Sequence, residues 1–326
     1  MKRSLAVSFV LLVIAFLWLV LFLFRPFLSY PSPVQLTCLD PEAGTIESLG
    51  PPHRVFGLGL SYAGHIAESP GLYDPDSGPP VFKKRLRSVN RSDRIPYPSR
   101  EDLLEAASRV DPRHAAALAE QIDEIPALLD YEVEVGLVVF ESFPVANLAR
   151  PDFVPPLGYF VANDITARIL IGMAPEYDLT VRYLAEGKGL AGFLPVGDHV
   201  FVPADPGPDS WLCVELVTEV NGKVRQRSSS TDIIYSPRQI LESVARGEGL
   251  DSFDAGDWII TGTPPGVALQ TAGWLQRALL LVDPSAQTKV SVMAGSEQEG
   301  SAFLHPGDVV RVSAGFLGHK TSRVVR

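Results

Sequence analysis

Hydrophobic and polar positions divide the chain into three unlike stretches. From Leu5 to Phe24 the run is apolar throughout, broken only by Ser8. About 20 residues rising roughly 1.5 Å each cover a bilayer core of roughly 30 Å. Lys2 and Arg3 precede the run, Arg25-Pro26-Phe27 follows it, and no Ala-x-Ala cleavage site lies nearby. This predicts one N-terminal transmembrane helix, residues 1–25, uncleaved. The excess of positive charge before the helix places the body on the extracytoplasmic side of a single-pass membrane protein. A cleaved signal peptide is the competing reading. Residues 26–52 are Pro-rich and polar with little periodicity, the pattern of a tether.

Beyond residue 53 the pattern turns to short strand-like runs bounded by Gly and Pro. Examples are Val55–Leu60, Leu128–Phe140, Leu157 into Asn163-Asp164, Trp211–Val217 and Asp257–Pro264. Asn221-Gly222 between two such runs predicts a tight β-hairpin. Helical spacing is confined to few places. Tyr62–Glu68 reads as a short helix, and Ser236-Pro237 caps Arg238–Arg246. Ser99-Arg-Glu-Asp102 forms a capping box ahead of Leu103–Val110, and Asp111-Pro112 restarts a helix to about Ile122. We read that last pair as a helical insertion over about 99–129. The fold class is α+β, predominantly β, with residues 53–326 as one domain.

Charge and cysteine usage narrow the class. The net charge is −10, and no basic stripe or aromatic-interleaved Lys/Arg cluster occurs, which excludes nucleic acid as a partner. The two cysteines, Cys38 and Cys213, have no metal-motif spacing. A disulfide is compatible with an extracytoplasmic body, but the two are expected to be free.

The candidate chemistry starts at Glu132 and Glu134. Period two sets both on one face of a strand, with Tyr131, Val133 and Val135 on the other. Adjacent like charges repel and lose hydration inside a domain, so a hard divalent cation is their natural partner, although an exposed acidic face has the same pattern. Asp164, where an apolar strand meets a polar turn, adds a third carboxylate. His65 and Glu68, at i and i+3, share a helical face; a carboxylate beside an imidazole suits a base that takes a proton from water, and a surface pair has the same spacing. Arg168 is suited either to a substrate carboxylate or to an internal salt bridge. Gly262 and Gly266 in Thr261-Gly-Thr-Pro-Pro-Gly266 let backbone N–H groups approach an anion.

E-x-E followed by G-Y-x-x-A-N-D-x-T-A-R resembles the fumarylacetoacetate hydrolase family. Lys188-Gly, Phe193-Leu-Pro-Val-Gly197, Val220-Asn-Gly222, Thr261-Gly-Thr-Pro and Leu304-His-Pro-Gly-Asp308 extend the likeness from about His53 to the C-terminus. The resemblance implies a mixed β-roll with short flanking helices, assembled as a homodimer. It implies Mg²⁺ (or Mn²⁺) on Glu132, Glu134 and Asp164, and a catalytic set of His65, Glu68 and Lys188. Arg168, Gln226 and Thr263 would bind substrate. The implied reaction is carbon–carbon bond hydrolysis of an acylpyruvate or 1,3-diketo acid, a small-molecule oxo-acid. Hydratase, isomerase or decarboxylase chemistry and non-catalytic oxo-acid binding are the alternatives. The chain departs from the family pattern at Ser61 (usually Asn) and Gly64 (often Asp). Pro80-Val-Phe-Lys-Lys84 lacks the final Pro of P-x-F-x-K-P, which leaves open a role for Lys83 or Lys84. Asn90-Arg-Ser92 is formally a glycosylation sequon.

Overall fold

The E-x-E strand becomes the middle of a sheet. The computed structural model describes residues 31–68, 78–121, 124–175, 179–269, 283, 285–295 and 303–326. The Leu5–Phe24 run lies outside them, and among the described residues no helix is long and apolar enough to cross a membrane. We number the strands of the two large sheets β1 (Gly44–Ser48), β2 (Val55–Leu58), β3 (Val81–Lys84), β4 (Arg94–Pro96), β5 (Val133–Val139) and β6 (Leu157–Asn163). There follow β7 (His199–Pro203), β8 (Glu215–Val220), β9 (Lys223–Ser229), β10 (Trp258–Ile260), β11 (Val309–Ala314) and β12 (His319–Val325). Among the described residues the larger sheet runs β1-β7-β6-β5-β10-β2-β3 and the smaller β9-β8-β11-β12-β4. Within these two sheets all pairings are antiparallel except β10 with β2 and β12 with β4.

β5 is buried along its whole length, so both of its faces are interior. Val133, Val135, Leu137 and Val139 share a core with Leu216, Val312 and Ala314 of the smaller sheet, so the two sheets pack face to face. The opposite face carries Glu134, Gly136 and Val138, and Val138 packs with Phe160, Trp258 and Ile260. Gly136 has no side chain because the Phe160 ring, directly across on β6, lies where one would go: an added Cβ would sit 2.3 Å from it. Strand periodicity thus separates a dry intersheet face from the face on which the carboxylates begin.

The helices are short: α1 (Ala63–Glu68), α2 (Arg100–Val110), α3 (Pro112–Gln121), α4 (Arg168–Gly172), α5 (Thr180–Lys188), α6 (Pro237–Glu248) and α7 (Ala286–Gly295). The expected insertion is the α2–α3 hairpin, opened by a Ser99–Asp102 capping box. Its Leu103, Ala106, Ala107, Ala115 and Leu118 pack with Ile169, Leu170 and Tyr183 of α4 and α5. Arg109 Nε donates to Glu186 Oε2 at 2.7 Å, so the hairpin braces the helix that ends in Lys188. Asn221 and Gly222, at φ 52° and 76°, make the expected tight turn between β8 and β9. α6 starts at the expected Ser236 cap and ends on Gly249 in the left-handed region.

Two expectations are corrected, and one formal motif is placed. Gly44–Ser48, expected as tether, is the edge strand β1 on β7, and Thr37–Cys38 pairs in parallel with Ser210–Trp211. Four of the five β1 residues are exposed, so no apolar alternation marks the strand in the sequence. Cys38 and Cys213, expected free, form a disulfide with Cα atoms 5.3 Å apart; the short strand pairing brings them together. The Asn90 sequon is buried, its Nδ2 donating to the carbonyls of Arg94 and Gly192 at 2.7 and 2.9 Å.

Candidate active site

The antiparallel register of β5 and β6 sets the carboxylates side by side. Ala162 lies across from Glu134 and Asn163 from Val133, so Asp164 emerges beside Glu132. Its N–H donates to the Glu132 carbonyl at 2.9 Å, and Asn163 Oδ1 accepts the Glu132 N–H at 3.0 Å. One oxygen from each of Glu132, Glu134 and Asp164 lies within 4.8 Å of the others, and all three residues are buried. The exposed-face alternative for the E-x-E pattern is therefore excluded.

Buried cations surround the cluster. Lys188 Nζ donates to Glu132 Oε2 at 2.7 Å and to Asp164 Oδ2 at 2.8 Å. Lys84 Nζ, fully buried, donates to Asp164 Oδ1. Arg168 Nη2 reaches Glu132 Oε1 at 2.5 Å. The two glutamates titrate in opposite directions. Burial pushes Glu132 up, but Lys188 and Arg168 outweigh it and hold the carboxyl down at about 2. Burial pushes Glu134 well above the usual range, and the Asp164 charge adds to this. Glu134 Oε2 accepts the Gly262 N–H at 2.6 Å, whereas its Oε1 is buried with no hydrogen-bond partner. Three convergent carboxylates, one with an orphaned oxygen, are the hard-oxygen donor set that suits Mg²⁺ or Mn²⁺. The residues present fit such an ion.

The His–Glu pair forms on α1. His65 Nδ1 lies 3.4 Å from Glu68 Oε2, and the imidazole is close enough to the cluster to contribute to the lowering of Glu132. Glu68 is held from behind by the Gly266 N–H, 2.8 and 3.0 Å from its two oxygens. Both departures from the family pattern have a place here. Ser61 Oγ donates to the Thr261 carbonyl at 2.5 Å. At Gly64, an added Cβ would come within 2.8 Å of Pro265, so the absent side chain is what lets α1 lie against the loop.

That loop follows β10 and is laced to β5 by side chains. Thr261 Oγ1 donates to the Val135 carbonyl at 2.8 Å, and Thr263 Oγ1 to the Val133 carbonyl at 3.1 Å. The two threonines thus continue the sheet's ladder past its last backbone pair. Between them Gly262, at φ 90°, turns its N–H onto Glu134. The anions expected near Gly262 and Gly266 are therefore the protein's own carboxylates. Gln226 Nε2 donates to Thr263 Oγ1 at 2.9 Å and to the Pro264 carbonyl at 3.0 Å. Its Oε1 accepts from the Val133 N–H at 3.1 Å and Thr218 Oγ1 at 2.7 Å. The side chain is fully occupied in tying β5 to the loop. Arg168 Nε donates to Asp130 Oδ2 at 2.7 Å, so its guanidinium bridges two buried carboxylates. These contacts are an internal salt bridge.

Sequence reasoning missed two residues. The motif alone does not choose between Lys83 and Lys84, but β3 has Phe82 and Lys84 buried and Lys83 exposed. Period two from the Phe was the available signal. Asp130 extends the alternation of Glu132 and Glu134 by one step, so period two was the available signal there as well.

A family model described as "Fumarylacetoacetate (FAA) hydrolase C-terminal" matches residues 54–325. The chain is 34% identical over 146 residues to the oxaloacetate tautomerase YisK of Bacillus subtilis, a stretch that spans 44% of this chain and 44% of that protein. A fumarylacetoacetate hydrolase from Exiguobacterium antarcticum is 26% identical, with TM-score 0.50, covering 85% of this chain and 77% of that one. Fumarylpyruvate hydrolase from Pseudomonas aeruginosa, solved with Mn²⁺ and pyruvate, shares the fold at TM-score 0.52 and 20% identity, covering 88% and 97%.

Proposed function

The chain belongs to the fumarylacetoacetate hydrolase family, and on that premise we propose that it is a divalent-metal-dependent enzyme acting on a small 2-oxo acid, with carbon–carbon hydrolysis of an acylpyruvate-like substrate as its reaction. The observation that carries this reading is the buried Glu132–Glu134–Asp164 cluster, with an unpartnered Glu134 oxygen, beside a His65–Glu68 pair. Glu132, Glu134 and Asp164 would hold Mg²⁺ or Mn²⁺, which when bound supplies Lewis-acid polarisation of the chelating substrate oxygens. His65, with Nδ1 facing Glu68, takes the proton of the attacking water at Nε2, and Glu68 fixes the tautomer and stabilises the imidazolium. Lys188 Nζ, already directed at the cluster, places a positive charge where the enolate leaving group develops. The bond broken joins the acyl carbon to the enolate carbon; the acyl carbon takes hydroxide and the enolate carbon a proton.

A second reading within the family is tautomerisation, supported by the 34% identical stretch shared with an oxaloacetate tautomerase. There the same base moves a proton between an enol oxygen and the far carbon of its C=C bond, and no water is consumed. The two are separated by incubating the full-length protein in detergent with Mg²⁺ or Mn²⁺ and a panel of acylpyruvates and oxaloacetate. Two acids released from an acylpyruvate establish hydrolysis; faster loss of the enol band with no new acid establishes tautomerisation. Mn²⁺ binding with no turnover across the panel would leave a binding protein. His65→Ala is expected to keep metal affinity and to lose about 10²–10⁴-fold in turnover. Wild-type turnover in that variant would make the pair structural.

We further propose that residues 1–25 anchor the protein with its body outside the cytoplasm. The charge asymmetry around Leu5–Phe24 supports this, as does a disulfide that needs an oxidising compartment. Full-length protein should stay in the membrane pellet after carbonate extraction; a soluble, N-terminally trimmed chain would mean a signal peptide.

A further inference from the structure

One buried carboxylate beside the site has no part in the chemistry above. Asp130 is 0% exposed and lies on the two-residue strand Leu129–Asp130, paired with Thr166–Ala167 just ahead of Arg168. Its Oδ1 accepts the N–H of Tyr131 at 2.8 Å and of Ala268 at 2.7 Å. Its Oδ2 accepts Arg168 Nε at 2.7 Å and the Leu269 N–H at 3.3 Å. The far end of the same guanidinium, Nη2, meets Glu132 Oε1. A continuous string therefore runs from the backbone of 268–269 through Asp130 and Arg168 to Glu132. The loop that starts it also donates Gly262 N–H to Glu134 and Gly266 N–H to Glu68.

Stability does not explain such a string. Buried ion pairs roughly break even against apolar side chains of similar volume, because desolvation offsets the attraction. Geometry does explain it. A guanidinium is a planar fork that grips a carboxylate with two parallel N–H bonds when nothing else holds it. Here Asp130 takes the Nε–H, so Arg168 offers Glu132 a single bond from Nη2, and Glu132 Oε2 is left to Lys188, which also reaches Asp164. Without the Asp130 charge, Arg168 would turn both N–H groups onto Glu132 and compete with a cation for it.

We infer that Asp130 is a positioning residue that restrains Arg168 and so presents Glu132 to the metal, coupling the 261–269 loop to metal affinity. The inference rests on the proposed metal site. Its test is Mn²⁺ binding to the full-length protein in detergent, read from the electron paramagnetic resonance of free Mn²⁺, with thermal melts alongside. Asp130→Asn is expected to weaken Mn²⁺ binding about 10–100-fold, the usual worth of groups that orient a ligand. Asp130→Glu should recover part of the loss. Arg168→Lys, which keeps the charge but removes the fork, should weaken binding in the same range, and adding Asp130→Asn to it should change little. Wild-type affinity in a folded Asp130→Asn variant overturns the inference and leaves the metal site standing. If that variant does not fold, Arg168→Lys decides, and wild-type affinity there overturns the inference equally. Failure of both variants to fold would make the string structural and also overturn it. Wild-type protein that binds no Mn²⁺ overturns the metal reading and this inference together.

Discussion

Glu132 and Glu134 are two positions apart, yet their surroundings drive them in opposite directions. Glu132 faces Lys188 and Arg168 and is held at about 2, so it is ionised at any working pH. Glu134 has burial and the Asp164 charge against it and only a backbone N–H on Oε2, so its carboxyl keeps a proton far more readily. A cation entering the cluster must displace that proton, so apparent Mn²⁺ affinity should rise as pH climbs through the raised Glu134 titration. Calorimetry in two buffers of different ionisation enthalpy should show a buffer-dependent heat and proton release; a buffer-independent heat would contradict the assignment. Glu134→Gln should cost more than about 100-fold in Mn²⁺ affinity, since groups that only orient ligands already cost about 10–100-fold. Period two made the shared face of Glu132 and Glu134 legible in the sequence. It did not reveal which of the two would be protonated, because that depends on Lys188, Arg168 and Asp164 arriving from other elements.

At the scale of elements, the site depends on one loop approaching one short helix. Gly64 is where a side chain would part them: an added Cβ would lie 2.8 Å from Pro265, a ring that cannot swing aside as a flexible chain would. Gly64→Ala should push α1 off the loop that holds Glu68 through Gly266. A displacement near 1 Å at a positioned base costs up to about 100-fold in turnover. Mn²⁺ affinity should fall much less than turnover, because the displaced element is α1, whereas Glu132 and Glu134 sit just before and on β5 and Asp164 just after β6; a metal-affinity loss equal to the turnover loss would refute this division of labour. The capped helices, the Asn221-Gly222 hairpin and the half-buried strands were legible because each carries its own local signal. Edge strand β1 was not, since Gly44-Thr-Ile-Glu-Ser48 leaves most of its side chains in solvent. The Thr261 and Thr263 ladder was visible only as an unexplained pair of threonines, because its acceptors, Val135 and Val133, lie about 130 residues away in the chain.

For the whole molecule, residues 31–52 are part of the body, and the Cys38–Cys213 disulfide links residues 175 apart in sequence. Each flanking stretch makes only a few backbone bonds across the seam: Val34 to Ile233, Thr37 to Asp209 and Leu39 to Trp211. Neither cysteine has a spacing partner, which is why the sequence pattern pointed to free thiols. The pairing becomes visible only when the Thr37–Cys38 and Ser210–Trp211 strands meet. Closing a loop of this length removes unfolded-state entropy worth about 5 kcal/mol in the chain-entropy account. That is a large share of the roughly 5–15 kcal/mol by which a domain is stable. Cys213→Ser, or reduction of the native protein, should therefore lower the guanidinium midpoint markedly. Turnover per folded molecule should hold, because Glu132, Glu134, Asp164 and the His65–Glu68 pair take none of their contacts from residues 36–39. Two thiols titrating in the native, unreduced protein would show that the bond does not form, and with it would go the support it lends to an extracytoplasmic body.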